Sequence, residues 1–418
     1  MPATEFARMR RSDHSMLPPA PAATIAYGSP NACNICHADR DAAWADRWVR
    51  RWRKRNYQAP ILHRASLIEA ARKRDWRKLP AMLEYINSRE HDAIFAASLI
   101  RLLRPCVDER KWPVLIQAMK DPSPLVRANA AESLGDWIGP EALITLAGAL
   151  RDESRLVRIR AASAMAAVPP QWLDAATADA FNKAAEEFKR MLDARPDHWA
   201  SHYNMGNFYS ARRDYARAVT FYETAIRLQP RVLMPYVNVS FAYNALGMND
   251  KAEQSLRKAC ELFPKSLEAH LNLGLLLGEM RRLQEAEKYL KKAVELDPGS
   301  AVAAYNLGMV NAQLQCMDSA IDYLQRAYKL EPENRQYGYS LAFYLEQKGD
   351  ISASVRILQQ ISDRRQSDID AVLLLGEIYR KQGKVNQARK LYQHELARGE
   401  LSAEERELLK GRLAELEK

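Results

Sequence analysis

The sequence predicts an all-α protein: an α-solenoid built from two successive kinds of helix pair, set behind a short N-terminal segment. Three observations predict it. Pro196, Pro230, Pro264, Pro298 and Pro332 recur every 34 residues, with Ala184, Ala218, Ala252, Ala286 and Ala320 at the same interval. Upstream, Asp121-Pro122-Ser123-Pro124-Leu125-Val126-Arg127 returns 31 residues later as Asp152-Glu153-Ser154-Arg155-Leu156-Val157-Arg158. Helix-favouring Ala, Leu, Glu, Arg and Lys dominate, while only 16 Gly and 20 Pro interrupt 418 residues.

The totals set limits on what the chain can be. A hydrophobic fraction of 47% beside 27% charged residues fits a folded chain and excludes wholesale disorder. No apolar run approaches the roughly 18 residues that span a bilayer, so no transmembrane segment is expected. The start, Met1 to Arg11, lacks the apolar core of a signal peptide. The five cysteines make no disulfide framework; Cys106, Cys260 and Cys316 stand alone and are expected to be small buried apolar residues.

Residues 1–58 form the first segment. Met1 to Tyr27 is aperiodic and holds Pro18, Pro19 and Pro21, which predicts an ordered loop or extended arm. Gly28-Ser29-Pro30-Asn31 is a turn, with Asn31 placed to cap the next helical turn. That turn carries Cys33-Asn34-Ile35-Cys36-His37. Two thiols three positions apart share one face of a helical turn, where they form thioethers with the two vinyl groups of a haem while the adjacent imidazole ligates the iron. This is the c-type haem attachment pattern, and it predicts one covalent haem c held by Cys33, Cys36 and His37. A sixth ligand is available on the arm: His14 is preferred, Met16 is the alternative, and His63 is the runner-up beyond the motif. The same Cys33, Cys36, His37 and His14 also make a set of four zinc-type ligands.

Asp39 to Arg55 is predicted helical, with Trp44, Trp48 and Trp52 recurring at every fourth position. Such a stripe reads as core packing, with a haem edge as one partner. Arg47 to Lys78 contains 12 Lys or Arg against Glu69 and Asp75, which accounts for the net charge of +10. A solvated basic face is the ordinary reading of such a run; an acidic protein partner or the haem propionates come next, and no nucleic-acid partner is expected.

Residues 60–168 then read as paired helices. Asp-x-x-x-Leu-Val-Arg opens a helix with a cap, two aliphatics and an Arg, and Ala130, Ala131, Ala161 and Ala162 let neighbouring helices approach closely. These residues resemble HEAT repeats, with a looser copy from His91 to Leu103. After Pro169-Pro170, residues 177–400 follow the stricter period. Met205-Gly206, Leu273-Gly274, Leu307-Gly308 and Leu375-Gly376 keep one position small so that two helices can cross, Val239-Ser240 and Leu341-Ala342 are weaker copies, and Tyr209, Tyr243 and Tyr379 follow three residues after the small one. These residues resemble tetratricopeptide repeats: a half repeat from about Thr177, then six beginning near Trp199, Leu233, Leu267, Ala301, Arg335 and Ile369, the fifth degenerate. The resemblance implies a right-handed solenoid. Residues 401–418 read as a helix capping the last apolar face.

The resemblance also implies protein partners held on the concave face, lined by the first helix of each repeat. Asn204, Asn238, Asn272 and Asn306 share one repeat position there and form a candidate ladder for a peptide backbone or carboxylate. Tyr203, Asn207, Phe241, Met309 and Gln313 flank them and would set specificity. His198 and His202, spaced four apart, lack the acid of a zinc-protease helix. His270 and His394 read as packing or exposed positions. No nucleotide loop, nucleophile elbow or paired-carboxylate cluster is visible, and the chain is expected not to be an enzyme.

Together, Asp13-His14-Ser15, the turn Ser29-Pro30-Asn31-Ala32 leading into Cys33 to His37, and the two repeat regions resemble the C-terminal part of bacterial multihaem c-type cytochromes fused to a helical solenoid. That resemblance implies export, further haem motifs upstream, redox partner proteins, and electron transfer within a multihaem assembly. The start at Met1-Pro2 then reads as a truncated gene or gene model. The protein is expected in the periplasm on that view, and in the cytoplasm if Met1 is the true start. The competing expectation is a non-redox repeat scaffold whose motif is vestigial or binds zinc.

Overall fold

The computed structural model describes residues 3–6, 9–12, 18–53, 55–137, 139–362, 368–398 and 401–416. They fall into two compact units, Met1–Pro196 with Ala211–Arg213, and Asp197–Ser210 with Asp214–Lys418.

The first unit opens with an antiparallel hairpin, β1 (Ala3–Phe6) paired to β2 (Met9–Ser12) in the register Ala3 to Ser12 and Phe6 to Met9. The described parts of the predicted loop or extended arm are thus a strand hairpin and a helix, α1 (Pro21–Tyr27). Proline at the first helical position brings a helical φ and loses no hydrogen bond there. Gly28, at φ +67°, closes the helix in the left-handed region where a Cβ would be strained. Next come α2 (Cys33–Cys36) and α3 (Ala42–Trp52), the latter capped by Asp41, whose Oδ1 accepts from the Trp44 N–H at 2.7 Å. The chain continues through α4 (Gln58–Arg72), α5 (Leu79–Asn87), α6 (Ala93–Leu102), α7 (Lys111–Ala118), α8 (Pro124–Leu134), α9 (Pro140–Ala149), α10 (Arg155–Ala164) and α11 (Ala175–Asp193).

Gln58, buried at the start of α4, ties three helices of this unit together. Its Oε1 accepts from the Ala22 N–H of α1 at 3.0 Å, and its Nε2 donates to Asp46 Oδ1 of α3 at 2.8 Å. Further along, the repeat arginines act as staples. Arg127, 7% exposed, donates to the Asp121 and Pro122 carbonyls of its own turn and through Nε and Nη2 to the Asp152 carboxylate of the next repeat, at 2.8 and 2.9 Å. Arg158 repeats the pattern one step on, from the Asp152 and Glu153 carbonyls to Glu187 of α11. One repeat earlier, His91 fills the same place, with Nδ1 against the Ser88 carbonyl and Nε2 3.1 Å from Asp121 Oδ2. The alanines Ala130, Ala131, Ala161 and Ala162 are fully buried beside these staples, where neighbouring helices meet.

The second unit is a run of helix pairs. The first helices are α12 (Trp199–Ala211), α14 (Leu233–Ala245), α16 (Leu267–Glu279), α18 (Ala301–Gln313), α20 (Arg335–Lys348) and α22 (Ile369–Lys381). Each starts at the residue where the period places a repeat. The second helices are α13 (Tyr215–Leu228), α15 (Asn249–Leu262), α17 (Leu283–Leu296), α19 (Met317–Leu330), α21 (Ile351–Ser362) and α23 (Val385–Arg398). Ala218, Ala252, Ala286 and Ala320 have no exposed surface. A Cβ on Gly308 would sit 2.9 Å from Leu324 Cγ and 3.1 Å from the backbone Ala320 O and Leu324 N, so only glycine lets α18 and α19 cross this closely. In the fifth repeat Ser354 takes the alanine position, fully buried, its hydroxyl donating to the Ala342 carbonyl at 2.7 Å. The last helix, α24 (Ala403–Glu415), starts with a capping box of Ser402 and Glu405 and buries Leu409 against Val372, Tyr392 and Leu401.

Two expectations change here. The buried face of α3 is Ala45 and Val49, while Trp48 and Trp52 are 36% and 67% exposed, their rings tilted against each other at 5.9 Å with Arg51 over the Trp48 ring. A four-residue spacing puts the three tryptophans on one face but does not say which face meets the core; the buried side carries Ala45 and Val49, and α3 packs against α1. Cys106 is buried as expected. Cys316, by contrast, is exposed at the N-cap of α19, and Cys260 is half-buried, its thiol pushed up to about 11 by burial.

Candidate functional site

The turn bearing the cysteines is fixed by amides. Asn31, 5% exposed, accepts from the Asn34 N–H at 3.2 Å through Oδ1 and donates through Nδ2 to Thr24 Oγ1 at 2.9 Å and Asn34 Oδ1 at 2.8 Å. Asn34 in turn donates to the Arg40 carbonyl at 2.7 Å, bracing the loop after the motif. The His37 N–H closes the turn on the Cys33 carbonyl at 2.9 Å. Asn31 was legible as a cap. Asn34 was not, because its partner is a loop carbonyl six residues away.

Cys33 is half-buried and Cys36 exposed, and neither is in a disulfide. His37 is exposed, its ring 4.8 Å from that of Trp44. Ile25, Tyr27 and Ile35, on α1 and α2, are also exposed apolar side chains, at 56%, 38% and 51%. Two reduced thiols on one helical turn, an open imidazole next to them and uncovered apolar surface on the same two helices fit the demands of a covalently held, largely apolar macrocycle. Among the described residues no three His, Cys, Asp or Glu side chains gather as a metal site. His14 and Met16 lie outside the described residues. His63 is exposed on α4, its ring 6.1 Å from Tyr85.

The first helices of the second unit present the other candidate surface. Successive helices are cross-bonded: Asn238 Nδ2 donates to Asn207 Oδ1 at 2.9 Å and to the Tyr203 hydroxyl at 3.2 Å, Arg281 to Gln313 at 3.2 Å, and Gln336 to the Tyr305 hydroxyl at 3.1 Å. The asparagine ladder is therefore uneven. Asn204 is exposed, Asn238 is engaged with the preceding helix, and Asn272 and Asn306 donate to the carbonyls of Glu268 and Val302 four residues back, at 2.7 and 2.8 Å. The last two therefore offer carbonyl oxygen more readily than N–H to anything that docks. Phe241, 61% exposed with Tyr215 edge-on at 6.0 Å, is the most prominent apolar side chain of this set. His198 lies tilted against Trp199, His202 stacks on Phe221, His270 is buried with Nδ1 against the Ser266 carbonyl, and His394 is exposed.

Comparisons with known proteins bear on the repeats. Residues 112–199 match a family model for HEAT repeats, and residues 199–232, 242–301, 271–335 and 371–404 match models for the tetratricopeptide repeat. The chain therefore carries HEAT and tetratricopeptide repeats, the architecture of a protein-interaction scaffold. No curated protein matches it. Solved structures similar to part of it include MamA from Desulfovibrio magneticus RS-1, 21% identical, covering 40% of this chain and 93% of that chain with a TM-score of 0.37. Others are YrrB, described as a tetratricopeptide protein with an unusual peptide-binding site (20% identical, 45% and 96%, TM-score 0.38), and PilF from Pseudomonas aeruginosa (17%, 53% and 99%, TM-score 0.41).

Proposed function

We propose that the chain is a protein-interaction scaffold carrying one covalent haem c on its N-terminal segment, serving electron transfer within a multihaem cytochrome assembly. The observation that carries this reading is the pair of free thiols, Cys33 and Cys36, on a single amide-braced turn with the His37 imidazole directly after them. Cys33 and Cys36 would hold the group, His37 would ligate its iron, and His14 is the preferred sixth ligand. A bound haem supplies one-electron chemistry; the chain's part is to hold it, choose its ligands and limit its exposure, the levers by which a protein tunes such a group. Redox partner proteins and a periplasmic location, where covalent attachment occurs in the family the chain resembles, belong to the same reading. The tetratricopeptide unit would hold a partner on its first-helix face through the Asn272 and Asn306 carbonyls and the Phe241 ring.

The test is to produce the chain behind an export signal together with cytochrome c maturation proteins, then measure intact mass and the pyridine haemochrome spectrum. One haem per chain is expected, lost in the Cys33→Ser/Cys36→Ser variant. A correctly exported chain with no added haem mass would overturn the reading, and stoichiometric zinc in its place would favour a Cys/His metal site.

A further inference from the structure

The second helices of the tetratricopeptide unit are joined in two quite different ways. Between the second and third repeats a charged lattice fills the seam. Arg257 donates to Glu253 at 2.7 Å, to Glu285 at 2.8 Å and to the Tyr289 hydroxyl at 2.8 Å, while Arg282 reaches Glu253 at 2.5 Å and Glu285 at 2.7 Å. Two repeats on, 68 residues later, all five positions change together: Glu253 becomes Ile321, Arg257 becomes Gln325, Arg282 becomes Asp350, Glu285 becomes Ala353 and Tyr289 becomes Ile357. The seam between the fourth and fifth repeats is accordingly an open groove of about 780 Å³. Its floor comprises Ile321, Leu341, Leu345 and Ile357, and its rim carries Lys329, Lys348 and Arg356.

The rim is predominantly cationic: three cations stand against one carboxylate, Asp350, which also caps α21 by accepting from the Ala353 N–H at 3.0 Å. Lys348 is paired with Asp318, while neither Lys329 nor Arg356 forms an ion pair with another described residue. An apolar trough with cationic edges is complementary to one kind of occupant.

We propose that this groove, on the second-helix side of the fourth and fifth repeats, is a docking site for an acidic segment of a partner protein that inserts apolar side chains between flanking Asp or Glu residues. It is separate from the first-helix face and independent of whether haem is attached. The apolar side chains fill the volume that Arg257, Glu285 and Tyr289 occupy in the equivalent seam, and the acids meet Lys329 and Arg356.

The test uses the full chain and three fluorescein-labelled synthetic peptides: an acidic one with Leu and Phe anchors between Asp and Glu, a twin with Lys in place of the acids, and a third with Ala in place of the anchors. Anisotropy titrations should show the acidic peptide binding at least ten-fold more tightly than either control. Ala353→Glu, which restores the lattice glutamate and fills the trough, should weaken it ten-fold or more. The surface variant Lys329→Glu/Arg356→Glu leaves the apolar floor intact and should reverse the preference toward the Lys twin. Unchanged affinity in both folded variants, or loss only on Phe241→Ala at the first-helix face, would overturn the proposal, as would equal binding of all three peptides to the unmodified chain.

Discussion

Two contacts, the joint between HEAT repeats and the crossing within a tetratricopeptide pair, hold helices together by different physics. In the HEAT unit a guanidinium crosses the joint: Arg127 and Arg158 each hold two carbonyls of one repeat and a carboxylate of the next. In the tetratricopeptide unit the crossing within a pair rests on missing atoms, as at Gly308 against Leu324, with buried alanines seating the second helix. A charged joint should respond to chemistry, and a packed joint to volume.

The comparison can be broken first at the charged joint. Arg127→Met leaves the largely buried Asp152 carboxylate and two carbonyls without their partner, and a broken buried pair of this kind costs about 3 kcal/mol. Urea unfolding with hydrogen-exchange mass spectrometry should locate the loss in residues 112–199; a loss below about 0.5 kcal/mol, the level of a surface pair, would show the staple to be ornamental.

At the packed joint, Gly308→Ala gains helix propensity of about 1 kcal/mol yet places a Cβ against backbone atoms. A net destabilisation of about 2 kcal/mol is expected, confined to the second unit and insensitive to salt. Stabilisation by the alanine would mean that α18 and α19 relax apart without cost.

The smallest effect is the acid response. Burial pushes the Asp152 carboxyl up, but hydrogen bonds from Arg127 and the Ser154 N–H outweigh it and hold it below 3.8; Arg158 holds Glu187 below 4.5. Carboxyls lowered on folding contribute their full stabilisation above those ordinary values and lose it as pH falls through the lowered ones. Stability of the HEAT unit should therefore decline below about pH 4.5, and the decline should be shallower in Arg127→Met. Parallel pH profiles for the two proteins would remove the link between staple and titration.

The 34-residue period was enough to mark where the six first helices begin: a proline precedes five of them, an alanine or Ser354 seats each second helix, and every crossing keeps a small residue. The thiols and His37 were legible for a similar reason: their spacing is itself the chemistry. What pairs residues across repeats was not legible. Nothing local to Arg127 names Asp152 as its partner, and nothing in the spacing of Trp48 and Trp52 says that Ala45 and Val49 face inward. The groove between the fourth and fifth repeats lay in the sequence as five simultaneous departures 68 residues apart, visible only once the lattice of Glu253, Arg257, Arg282 and Glu285 gave those positions a meaning.

Gln58 has a mechanical consequence. One carboxamide, 2% exposed, holds α1 by its oxygen and α3 by its nitrogen while sitting on α4, so it works as a shear pin. Tension applied to the cysteine-bearing segment reaches the first long helix of the stack through this carboxamide and through its neighbour Tyr57, whose hydroxyl donates to the Pro19 carbonyl ahead of α1.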